Sequence, residues 1–185
     1  MKVIRQTVID TDDYQVGDLM EFALKSGEKV EAMAVDKAGD KTVFCLVDCL
    51  KDEYPMNKTN TTNGGWCGSK LRKTLNDVIV YQFPDEIREK MKPFDNGDLL
   101  RVPSMKEMFG ETYFGVEPTE GVKQWEPMKE RRNRIAWQGS KTTKYEWYWL
   151  RDVVSSPAFA VVFGCGLASA SAASASGGIR PAFQI

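Results

Sequence analysis

Histidine is absent from all 185 residues. Its absence excludes Ser-His-Asp and Cys-His catalysis, imidazole-ligated metals and the commonest general base near neutral pH. Cysteine is scarce, and Cys45, Cys49, Cys67 and Cys165 form no C-x-x-C pair and are too few for a disulfide scaffold. Buried thiols, no resident metal, no cofactor and no catalytic residue are therefore expected. An excess of one charge is also lacking, with 25 Lys and Arg against 26 Asp and Glu. Without surplus cations to displace counterions, nucleic acid is not an expected partner. The one basic cluster, KERRNR at 129–134, reads as a solvated face. MKVIRQTVIDTDD at the start has no apolar h-region, so no signal peptide is read and synthesis in a reducing cytosol is expected. Long hydrophobic runs are missing. Residues 153–179 carry no charge, but Ser, Gly and Pro interrupt them, so no membrane span is expected.

What is present suits one domain, 1–185, with 42% hydrophobic and 28% charged residues. VIRQTVI opens the chain as a strand. LMEFALKSGEKVEAMAVDKAGDKTVFCLVDCL then alternates apolar and polar residues around SGEK and KAGDK, the pattern of a small antiparallel meander. DEYPMNKTNTTNGG is a polar loop. KLRKTLNDVIVYQF places Leu71, Leu75, Val78 and Ile79 at helical spacing behind an N-cap, Ser69. PDEIREKMKPF predicts a second helix between two prolines. Leu99 to Val102 reads as a short strand, and the next short helix is capped by Ser104. Residues 110–134 read as a long exposed connection. Farther on, Trp147 and Trp149 share one strand face, and IRPAFQI closes the chain as a strand that needs a partner.

Between those aromatics and the end lies a compositional anomaly. Lys, Glu, Gln, Met and Trp together number 47 in the first 151 residues and none in 152–178. At the earlier frequency the chance of this is on the order of 10⁻⁵. These five residue types are the ones not reached when both adenines of an AAT or AAC codon are randomised. Every residue from 152 to 178 belongs to the reachable set.

The motifs carry a resemblance. Trp66, Ser69, Leu71, Arg72, Leu75 and Asn76 form W-x-x-S-x-L-R-x-x-L-N; Asp98, Ser104, Glu107, Phe109 and Gly110 follow in order. Arg134-Ile135-Ala136, W-Y-W-L-R and G-G-I-R-P-A-F complete a series that resembles a large bacterial, archaeal and phage domain family. Its members include the variable proteins of diversity-generating retroelements, in which an error-prone reverse transcriptase rewrites the 3′ end of the gene at adenines. The resemblance implies an α+β, C-type-lectin-like fold: small antiparallel sheets, two helices and long loops. It implies a non-catalytic receptor or adhesin whose C-terminal surface, within 152–178, is hypervariable, with a macromolecular ligand, expected to be a protein. Display on a virion or cell surface through a partner is the expected localisation. The alternative is a fixed-sequence adhesin, phage tail or carbohydrate-binding module of the same fold.

Carried over residue by residue, Trp147, Trp149, Arg151, Arg180, Pro181 and Phe183 would be framework, together with Ile179. Ala160, Val162, Gly166, Ala168, Ala173, Ser174, Ser176 and Gly178 would be constant. The variable, ligand-facing set would be Asp152, Val154, Ala158, Val161, Phe163, Gly164, Cys165, Leu167, Ser169, Ala170, Ser171, Ala172, Ala175 and Gly177. The sequence here lacks the asparagines usual in that stretch, and has Asp152 where serine is common.

Overall fold

The computed structural model describes residues 12–113, 121–139 and 144–185. The predicted strand VIRQTVI lies outside them. β1 (Leu19–Ala23), β2 (Lys29–Ala38) and β3 (Lys41–Leu46) form the expected antiparallel meander. The last strand of the chain, β11 (Ala182–Gln184), joins it beside β3 and gives the order β1-β2-β3-β11. Phe183 pairs with Phe44 and Ala182 with Cys45. The expectation that the closing segment is paired is met, and Leu46 and Leu50 also donate backbone N–H to Pro181 and Ile179.

β4 (Tyr54–Pro55) pairs with β10 (Ser176–Gly177), and β5 (Ala136–Trp137) with β6 (Tyr145–Glu146). β7 (Tyr148–Ser155), β8 (Ala158–Val162) and β9 (Ala168–Ala172) form a three-stranded antiparallel sheet. The architecture is α+β with small antiparallel sheets. Two hydrophobic cores lie on opposite sides of a shared layer. Phe44, Leu46, Trp149, Phe159, Val161 and Phe183 face one core. Val43, Cys45, Tyr148, Leu150, Ala160, Val162 and Ala182 face the other. The period of two in β3, β7, β8 and β11 thus feeds both cores at once. Neighbouring Ala34 and Val35 are both buried, on opposite sides as strand alternation requires, and the register with β3 shifts between Ala34 and Asp36.

The helices are shorter than their sequence pattern predicts. α1 (Gly65–Gly68) precedes α2 (Lys70–Asp77), whose N-cap Ser69 accepts from Arg72 N–H at 3.1 Å. α2 buries Leu71 and Leu75 but stops before Val78, which is exposed; a 3₁₀ turn, Ile79–Gln82, then buries Ile79 and Val80. α3 (Asp85–Arg88) is a single turn. No ladder strand forms at Leu99 to Val102. Instead, Asn76 accepts the N–H of Leu99 and Leu100 and donates to the Leu100 carbonyl, leaving one bridge from Arg101 to Ala182. Of the expected exposed connection, residues 121–134 form two 3₁₀ turns that bury Trp125 and Met128.

α4 (Met105–Phe109) carries a capping box, with Ser104 Oγ accepting from Glu107 N–H and Glu107 accepting from Ser104 N–H. Glu107 also meets Arg101 in a buried two-pronged pair, at 2.6 and 2.8 Å. Burial alone would raise the Glu107 carboxyl, but the adjacent Arg101 guanidinium outweighs it and holds it at about 2. A carboxyl depressed in the folded state adds stability above its unfolded value near 4.5. That stability is lost as pH falls through the folded value. Acid titration followed by circular dichroism is expected to show stability dropping between about pH 4.5 and about pH 2. Glu107→Gln should flatten this limb and cost about 3–5 kcal/mol at neutral pH, measured by urea melts.

Candidate functional site

The anomalous stretch folds into the β7–β8–β9 sheet and its connections. β8 and β9 are joined by Gly164, Cys165 and Gly166, a three-residue hairpin loop. Gly166 N–H donates to the Phe163 carbonyl at 2.7 Å, and Gly166 has φ of 79°, the left-handed residue such a loop requires. Phe163 and Leu167 face each other across this loop, joined by the Phe163 N–H to the Leu167 carbonyl at 2.8 Å. Both side chains are exposed, at 55% and 50%.

The loop is fixed from behind by the segment read as a solvated face. Arg131 Nε donates to the Cys165 carbonyl at 2.8 Å, and Arg134 Nε to the Gly166 carbonyl at 3.1 Å. Arg134 also reaches the Met128 carbonyl and lies over the Phe109 ring at 5.1 Å. Lys129 to Arg132 are exposed, as a solvated face requires, and within KERRNR Arg131 and Arg134 act as a clamp on the loop. The acceptors are main-chain carbonyls, so the clamp does not depend on the side chains carried at the tip. Gly166 is the exception: a Cβ there would sit 3.0 Å from the Arg131 carbonyl oxygen.

The ligand-facing set divides into three groups. Phe163, Leu167, Ala170 and Ala172 are exposed. Val154, Ala158, Gly164, Cys165, Ser169, Ser171 and Ala175 are half-buried. Asp152, Val161 and Gly177 are buried, which corrects their assignment to the outer face. Asp152 Oδ2 accepts the N–H of Met105 at 2.6 Å and so serves the start of α4. Val161 packs in the first core because β8 lies between two cores and has no solvent face. Gly177 runs against Trp147, where a Cβ would fall 2.3 Å from the indole. Ser174 and Ser176, read as constant, are exposed.

Trp149, Arg180, Pro181 and Phe183 are buried, while Trp147 and Arg151 are half-buried. Trp147 and Trp149 meet edge to face at 5.1 Å, and Trp149 Nε1 donates to the Tyr54 carbonyl. Arg151 differs from a packed anchor: it lines a 260 Å³ cavity with Arg101, Glu107 and Gln184. The larger cavity, 490 Å³, is lined by Phe22, Val30, Glu31, Asp48 and Cys49 on the meander side and includes no residue of 152–178. Cys45 and Cys49 are buried, and burial raises both thiols above their usual range. Among the described residues, no group of three or more His, Cys, Asp or Glu is gathered as metal ligands, and no helix is long and apolar enough to cross a membrane.

The fold and this site define an α+β domain in which a clamped hairpin presents apolar side chains from a rigid base. A family model described as a domain of unknown function, DUF6273, matches residues 40–185. The chain belongs to that family. No curated protein and no solved structure matches it.

The clamp predicts an unequal response. Gly166→Ala is expected to cost about 1–3 kcal/mol through left-handed strain and contact with Arg131. Gly164→Ala, whose Cβ would make ordinary 3.5 Å contact with Tyr145, should stay within about 0.5 kcal/mol. Paired thermal melts check this, and equal losses would disprove the clamp.

Proposed function

We propose that this protein is a non-catalytic ligand-binding protein, of receptor or adhesin type, with a C-type-lectin-like fold and a C-terminal surface diversified by a retroelement. The observation that carries the reading is the hairpin tip. Its backbone is held by Arg131 and Arg134 through carbonyl oxygens, while Phe163 and Leu167 project outward. A surface built this way tolerates exchange of side chains without loss of its scaffold. The missing Lys, Glu, Gln, Met and Trp of 152–178 support randomised AAY codons as the source of those side chains. Exposed Phe and Leu flanked by Ala and Ser suit shape-matched contact with a protein ligand. Synthesis in the cytosol and display through a partner complete the proposal.

Sequencing the DNA flanking the gene tests it. The expected finding is a reverse transcriptase beside a near-copy of the gene's 3′ end. That copy should carry AAY codons opposite Phe163, Leu167, Ala170 and Ala172, and none opposite Val161 or Gly177. A flank with neither element overturns the reading. The protein supplies a second test. Replacing Phe163, Cys165, Leu167, Ser169 and Ala172 together with other AAY-reachable residues should cost about 0.5 kcal/mol or less at each position. Trp149→Ala should cost about 3–5 kcal/mol. Comparable destabilisation in the two melts would make the stretch core packing instead of display surface.

A further inference from the structure

β9 is an edge strand, with β8 on one side and no strand on the other. The phase of its hydrogen bonds follows from the two ends of the hairpin. Phe163 N–H donates to the Leu167 carbonyl, and Ala173 N–H to the Pro157 carbonyl. Both pairs are in step with Val161↔Ser169 and Phe159↔Ser171 in the β8–β9 register. Hydrogen-bonded and non-hydrogen-bonded pairs alternate along an antiparallel ladder. Ser169 and Ser171 therefore direct their backbone groups to β8. The N–H and C=O of Ala168 and Ala170, and the N–H of Ala172, point the other way. The Ala172 carbonyl closes a turn by accepting from Ala175 N–H at 2.9 Å. Among the described residues, no hydrogen bond reaches the outward groups of Ala168 and Ala170.

Edges of this kind are normally guarded by lysine, proline or a bulge. β9 reads ASASA, holds no charge and no proline, and keeps an unbroken register with β8. Ala170 and Ala172 are exposed and offer only methyl groups, so a second backbone can approach closely. A row of donors and acceptors at strand spacing is complementary to another extended backbone. Five residues of edge bury far less than the roughly 1,000 Å² that a stable interface between two copies needs. A peptide-length occupant fits that extent. Phe163 and Leu167 stand at one end of the strand, on the face that carries Ser169 and Ser171.

We propose that the free edge of β9 takes an extended, uncharged segment of the protein ligand as a fourth strand of the β7–β8–β9 sheet. The β9 backbone provides affinity, and the exposed tip selects an apolar side chain at one end of the segment. This rests on the reading above that the surface contacts a protein. It adds a physical reason why varied side chains still bind: backbone pairing is indifferent to which residues β9 carries.

The probe is a phage-displayed library of linear dodecapeptides, panned on the purified full chain. Recovered peptides are measured on wild type, on Ala170→Pro and Ala172→Pro, and on the double variant Phe163→Ser, Leu167→Ser. Each proline removes an outward N–H and leaves every bond to β8 in place. The expected result is at least a tenfold loss of affinity on either proline variant, with melting points kept, and a changed peptide consensus on the double variant. Amide exchange on the wild-type complex needs no variant: Ala168, Ala170 and Ala172 should exchange fast when free and slowly when bound, while Ser169 and Ser171 are slow in both. Peptides that lose binding only on the double variant would overturn the edge inference and leave the display reading standing. An empty selection, or a free protein that sediments as a dimer with Ala168 and Ala170 already protected, would overturn it as well. Peptides that map outside 152–178 would count against both.

Discussion

One buried cation organises the molecule. Arg180 is 1% exposed and forms no ion pair among the described residues; its guanidinium is satisfied by oxygen dipoles. It donates to the Leu46 carbonyl in the meander, to the Asn133 carbonyl 2.8 Å away in the 3₁₀ segment, and to the Tyr148 hydroxyl at 3.0 Å. Tyr148 passes the connection on, donating to the Arg134 carbonyl at 2.8 Å, and Arg134 holds the hairpin loop at Gly166. A continuous polar line thus runs from the β3–β11 pairing to the tip of the β8–β9 hairpin. Burying a guanidinium is tolerable only when its rigid fork meets well-placed acceptors. The three elements supplying those acceptors are therefore fixed relative to one another. Lysine, with one charged nitrogen and no fork, could not bridge them.

This arrangement separates backbone order from side-chain identity. At the tip, the anchoring interactions use the carbonyls of Cys165 and Gly166, which any residue sequence would present. Along β9, the ladder to β8 is backbone as well. Side-chain identity matters where two layers approach. Gly177 passes the Trp147 ring, and Gly178 passes Glu146 and Cys49, where a Cβ would sit 2.6 Å and 2.9 Å from them. The same stretch therefore contains positions that tolerate almost anything and positions that tolerate only glycine, a residue or two apart.

Local signals were legible in the sequence. The Ser69 cap, the Ser104–Glu107 box and the meander around SGEK and KAGDK each depend on neighbours within a few residues. The need of the closing segment for a partner was also readable, because a lone apolar strand is not stable by itself. What sequence pattern could not resolve was long-range. Asn76 displaces a ladder at Leu99 and Leu100 by taking their N–H groups from another part of the chain. KERRNR has the composition of a solvated run, and nothing local marks its partners as carbonyls more than thirty residues away at Cys165 and Gly166. The resemblance put Asp152 in the variable set, yet its partner Met105 lies on α4. Val161 alternates in a way that suits a half-exposed strand; only the second core shows that β8 has no outer face.

The burial of β8 bears on the compositional anomaly itself. AFAVV belongs entirely to the AAY-reachable set, yet Phe159, Ala160, Val161 and Val162 are all buried. Random replacement at these positions would place polar groups such as Asp, Asn or Ser between two cores without partners, at a cost of about 1–3 kcal/mol or more each. A protein stable by about 5–15 kcal/mol survives few such events. Any diversification compatible with this fold would therefore be confined to the exposed Ser155–Ser156 turn, the hairpin tip, β9 and the exposed serines that follow. The reachable composition of β8 has a different origin: Ala, Val and Phe are what a strand buried on both faces requires. One stretch of biased composition thus combines two physical causes, packing demand on β8 and permissive exposure beyond it.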